Sequence, residues 1–165
     1  RGIDEITSAA GNQTIAIRLE STAALLFASL LQFGLALIQA PRGSELDHAQ
    51  RVLMEAAALR PTNMADRAEC AAAVGTIGSR HANAGEFTKA ARNFRKAISL
   101  SPSDGALYLQ LGRVLLDGGK PAQAVSALET AVRLRPTEAH RVAMDLDAAR
   151  QQSKLSREGA GKQHD

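Results

Sequence analysis

The chain has 165 residues, of which 45% are apolar by type, only 3% are aromatic and none is tryptophan. That length suffices for one compact domain or a short solenoid. The alanine-rich, aromatic-poor composition disfavours a sheet built on aromatic and β-branched residues, leaving closely packed helices as the all-α expectation. A formal net charge of +3, with arginines spread along the chain, argues against a concentrated nucleic-acid footprint, and the lone Cys70 excludes an internal disulfide.

In chain order, the pattern predicts a short helix near residues 4–10 and a long one over 14–39, then helices at 45–59, 64–84, 86–99, 104–117 and 121–134. A closing helix is expected from 138 to 155, with 156–165 a frayed, disordered tail. Residues 23–40 (AALLFASLLQFGLALIQA) approach the roughly 20 apolar residues of a membrane span, but Gln32 interrupts the run. A span is not expected there, because the repeat described next accounts for the same residues. Turns are marked by Pro41-Arg42-Gly43-Ser44, by Asn83-Ala84-Gly85-Glu86 and by Asp117-Gly118-Gly119-Lys120-Pro121. Ser44, Ser103 and Thr137 are the predicted N-caps, each followed by an acidic residue.

The chain repeats itself with a period of about 34 residues. Tyr108, Leu111, Gly112 and Leu115, followed by Ala124, Leu128, Ala131 and Pro136, match Val74, Ile77, Gly78 and His81, followed by Ala90, Phe94, Ala97 and Pro102. An earlier copy reads Leu30, Phe33, Gly34 and Leu37, then Ala49, Leu53, Ala56 and Pro61, with three extra residues in its turn. A glycine where two antiparallel helices cross lets their backbones approach, and the large residue opposite fills the space beside it. The prolines stop the second helix of each pair. Seven surplus residues, 64–70, precede the second copy; that is close to two helical turns, so the first helix of this pair is expected to lengthen rather than loop out.

This pattern resembles the tetratricopeptide repeat, with its W-x-x-L-G-x-x-Y, A-x-x-x-F, A and P positions weakened at the aromatics. The resemblance implies an α-solenoid, a right-handed superhelix of about three helix-turn-helix repeats closed by a capping helix. Its segments are 1–13 as an N-terminal segment, 14–63, 64–103 and 104–137 as repeats, 138–155 as cap and 156–165 as tail. It also implies a concave face lined by the first helix of each pair. Carried onto this sequence, that face holds Leu35 and Ile38 from the first repeat, Ser79 and Asn83 from the second, Leu109, Arg113, Leu116 and Asp117 from the third, and His140 from the cap. Leu109, Arg113 and Leu116 are the leading contacts for a partner's extended peptide or helix. Of the basic and amide positions with which some members hold a terminal carboxylate, only Asn83 and Arg113 match.

No catalytic constellation is legible: there is no HExxH, nucleophile elbow or complete phosphate loop, and Gly118-Gly119-Lys120 reads as a turn. His48, His81, His140 and His164 are too dispersed for a metal set, His81 reads as a packed wedge, and Cys70 reads as a small buried hydrophobe. No cofactor, metal, small-molecule ligand or nucleic acid is expected, and the chain is read as a non-enzyme. The expected function is a protein-binding scaffold, accessory to a bacterial assembly such as a pilus, secretion or envelope machine; the bacterial source rests on alanine and arginine richness. Two alternatives are a substrate-positioning part of a larger enzyme such as a transferase, and a homo-oligomer joined through the apolar helix carrying Leu25 and Ile38. A chain that opens at Arg1 leaves room for an upstream targeting segment, and its compartment, cytoplasmic or periplasmic, is not legible.

Overall fold

The computed structural model describes residues 2–39, 44–59 and 63–161. It resolves into two compact units, residues 1–70 and 71–165. The seven surplus residues fall on the first unit's side, and the boundary lies at the start of the second repeat copy.

The first unit holds α1 (Gly2–Gln39), α2 (Ser44–Leu59) and the opening turns of α3 (Met64–Asn83). The two helices expected over 4–10 and 14–39 are one uninterrupted α1. Gly11 costs a helix only about 1 kcal/mol and there is no proline to remove a backbone donor, so nothing local forces a break. α2 packs along α1, with Phe27 and Ile38 of α1 and Leu46, Ala49, Leu53 and Ala56 of α2 buried. Gly34 sits at their crossing, where an added Cβ would lie 2.8 Å from Leu53. The turn holding Pro41, Arg42 and Gly43, the side chain of Ser44 and the helix stop assigned to Pro61 lie outside the described residues. α3 opens on Asn63, whose Oδ1 accepts from the backbone N–H of Asp66 at 3.1 Å.

The second unit continues α3 and adds α4 (Phe87–Leu100), α5 (Gly105–Asp117), α6 (Pro121–Leu134), a 3₁₀ turn (Pro136–Glu138) and α7 (Ala139–Gly161). Its backbone repeats as the sequence does. Glu86 N–H donates to the His81 carbonyl at 2.9 Å, and one period later Lys120 N–H donates to Leu115 at 2.8 Å. The glycines inside these turns, Gly85 at φ 75° and Gly119 at φ 69°, adopt the left-handed cap conformation that L side chains avoid. Ser101 to Ala97 and Arg135 to Ala131 recur in the same way, at 3.0 and 2.9 Å.

The crossings recur too. An added Cβ on Gly78 would lie 3.1 Å from the Phe94 ring, and one on Gly112 only 2.6 Å from Leu128. Phe94, Leu128, Ala90, Ala97, Ala124 and Ala131 are all buried, so each pair is zipped by large-against-small contacts at native packing density.

Three boundaries differ from expectation. The cap of α5 is Asp104 rather than Ser103: the helix opens at Gly105, and the Asp104 carboxylate accepts from Ala106 N–H at 2.9 Å. Thr137 lies within the 3₁₀ turn, whose cap position is Arg135, because Pro136 starts that turn with its fixed φ. The closing helix continues past Leu155 to Gly161, since no proline interrupts its polar run, and residues 162–165 lie outside the described ones.

Candidate functional site

In the second unit, α5 lies against α4, α6 and α7, and its remaining side carries the residues singled out from the sequence. Leu111, Gly112, Val114 and Leu115 turn inward and are buried, whereas Leu109 and Leu116 stay half-buried and Arg113 and Asp117 are exposed. That division follows from helical spacing, because residues three and four apart share a face. On α3, Ser79 is half-buried with its hydroxyl donating to the Gly75 carbonyl at 3.2 Å, and Asn83 is exposed at the helix end. His140 is exposed in the first turn of α7.

Arg113 is engaged rather than free: its Nε donates to Asp145 Oδ2 of α7 at 2.7 Å. The pair ties Arg113, on the same helix as Leu109 and Leu116, to α7 through a charge-assisted hydrogen bond. Asp145 is not legible from the spacing within α5, because it lies on α7, 32 residues from Arg113. Further ties hold the helices in place: Arg150 donates to Glu129 at 3.0 Å between α7 and α6, and Arg95 to Gln123 at 2.9 Å between α4 and α6.

Leu35 and Ile38 belong to the first unit. Ile38 is only 4% exposed, packed under α2, and cannot be a partner contact as placed by the sequence; Leu35 is exposed. The apolar covering of α2 takes that side of α1 first, which a repeat-position argument does not see.

A second feature also escaped the sequence reading. α4 carries Lys89, Arg92, Arg95 and Lys96 and no carboxylate, and with Thr88 and Ser99 these side chains line a groove of about 700 Å³. At its head, Glu86 accepts from Lys89 Nζ at 2.9 Å and from His81 Nδ1. The Lys89 bond, and then that from His81, holds the Glu86 carboxyl below its usual range. His81 is buried as a wedge at the α3–α4 turn. Burial, reinforced by the charges of Glu69 and Asp66, pushes the Cys70 thiol up to about 11. Among the described residues, no group of three or more His, Cys, Asp or Glu could hold a metal ion.

The architecture is that of stacked antiparallel helix pairs, a class defined by its crossings rather than by a reaction centre. Residues 82–144 match the tetratricopeptide repeat family model. The matched stretch lies within the second compact body, residues 71–165. A comparison with curated proteins finds no match. Among solved structures, the chain is similar to the Hsp90 co-chaperone Cns1 of Saccharomyces cerevisiae at 14% identity and a TM-score of 0.56, covering 86% of this chain and 44% of that one. It is also similar to a Thermobaculum terrenum O-GlcNAc transferase at 26% identity and a TM-score of 0.49, covering 74% of this chain and 22% of that one. The chain thus spans less than half the length of either protein.

Proposed function

We propose that the second unit is a non-catalytic protein-binding scaffold, accessory to a larger assembly, which takes a peptide or helix of a partner on the α5 face. One observation carries this reading: two half-exposed leucines, Leu109 and Leu116, flank an arginine held in place by Asp145 on the neighbouring helix. Apolar anchors beside a pre-oriented donor suit a chain that needs both contact area and a fixed register. The repeat favours the same use, since stacked hairpins present an extended surface and contain no preformed chemistry.

A display selection with random peptides tests it. Peptides recovered on the wild-type chain should lose at least about tenfold in affinity against Leu116→Asp and against Leu109→Asp, at unchanged helical content. Equal binding to both variants, or peptides that instead require Arg133 on the outer side of α6, would overturn the assignment of the face.

A further inference from the structure

α1 is more apolar, and more exposed, than a helix of a finished surface. Between Ser21 and Gln39 it carries no charged residue, and the stretch Ala16–Gln39 combines a mean hydropathy of 1.9 with only 17% burial of its most apolar window. Leu19, Leu25, Leu26, Phe33 and Leu35 are all exposed, with Leu25 at 72% and Leu26 at 51%. The hydroxyls along this stretch bond within the helix. The hydroxyls of Ser21, Thr22 and Ser29 donate to the carbonyls of Ile17, Arg18 and Leu25 at 2.9, 2.9 and 3.0 Å. Such a surface is prepared for an apolar neighbour.

The spacing says what kind of neighbour. Leu19, Leu26 and Phe33 are seven residues apart, and Ala23, Leu30 and Leu37 follow each of them by four. Alternating steps of four and three make the seam of a coiled coil, which meets another helix lying nearly parallel to its own axis. The covering of α2 lies on one flank of this seam, at Phe27 and Gly34, and leaves the other flank to small residues, Thr22, Ser29 and Ala36. Close approach from that side is therefore open.

A bilayer is the competing environment, and α2 argues against it. The outer face of α2 exposes Asp47, Arg51 and Glu55, which a bilayer spanned by residues 21–39 would carry into its apolar layer. A second helix covers the seam while those charges stay in water. We propose that this helix is α1 of a second copy of the chain, and that two chains form an antiparallel, two-fold symmetric pair along the seam. In this register Ala16 faces Phe33 and Ala23 faces Leu26 of the copy, setting small against large, while Leu19 faces Leu30. A parallel pair would instead stack alanine on alanine. Of the seam residues, Leu19, Leu26 and Phe33 are 66%, 51% and 48% exposed, and these are the side chains such a pairing would cover.

Sedimentation equilibrium of the whole chain tests this. The expected result is a species of twice 17.4 kDa that dissociates on dilution. Leu26→Glu, on the seam, should weaken association at least about tenfold, while Leu25→Glu, more exposed but off the seam, should not. Circular dichroism confirms folding, and Leu26→Ala serves should the charged variant lose helix. A monomeric wild type, equal loss in the Leu25 and Leu26 variants, or flotation of a monomer with phosphatidylcholine vesicles would each overturn the proposal.

Discussion

Replacing Gly112 by alanine probes the crossing that organises the second unit. The new Cβ would lie 2.6 Å from both Cγ and Cδ2 of Leu128, and Leu128 is fully buried, so its side chain has nowhere to turn. Alanine gains about 1 kcal/mol over glycine in helix propensity, whereas overpacking a closed core costs about 1–3 kcal/mol. The overlap here is severe enough to put the cost near the upper end, giving a net loss of about 1–2 kcal/mol. The equivalent change at Gly78 meets the Phe94 ring at 3.1 Å, a contact relieved by a shift of a few tenths of an ångström. Gly78→Ala should therefore stay within about 0.5 kcal/mol of wild type, with propensity and crowding nearly cancelling. Urea unfolding followed by circular dichroism reads both as shifts of midpoint at constant slope. Trimming the opposing residue supplies a cycle: Gly112→Ala with Leu128→Ala should destabilise by about 1 kcal/mol less than the two single changes added. The reasoning fails if Gly112→Ala is as stable as Gly78→Ala, or if the cycle shows no coupling.

Three further outcomes follow from the same geometry. Because Cys70 is fully buried with its thiol pushed up to about 11, a thiol reagent at pH 8 should label the native chain at least roughly a hundredfold more slowly than the urea-unfolded chain. The Glu86 carboxyl is held low in the fold by Lys89 and His81, so its contribution to stability is present above the ordinary value of 4.5 and disappears as pH falls through the folded value. Wild type should accordingly outlast Glu86→Gln in urea at neutral pH, and the gap should close on acidification below that range. Arg113 and Asp145 form a partly exposed pair, 45% and 27% accessible, so a double-mutant cycle between Arg113→Ala and Asp145→Ala should give a coupling of about 0.2–1 kcal/mol in stability.

Steric periodicity was the most legible property of this chain. Gly78 and Gly112, the alanines after them and the turn glycines Gly85 and Gly119 each have one physical reason to be small, and that reason repeats with the backbone. Contacts between different elements were less visible. Ile38 is read as surface by repeat position but is covered by α2, and the pairing of Arg113 with Asp145 is not legible, because neither fact follows from spacing within one helix. Helix ends were misplaced for a local reason. Ser103 and Asp104 are both good caps, and the choice fell to the aspartate, whose carboxylate also takes Arg135 at 3.4 Å. The cationic side of α4 was hidden by counting arginines along the chain instead of around one helix.

The shared crossing geometry is open to direct observation by nuclear Overhauser contacts in the intact protein. The account expects the Hα protons of Gly34, Gly78 and Gly112 to show strong contacts with the Leu53 methyls, the Phe94 ring and the Leu128 methyls respectively. A spectrum in which Gly78 and Gly112 instead contact residues at unrelated repeat positions would contradict it.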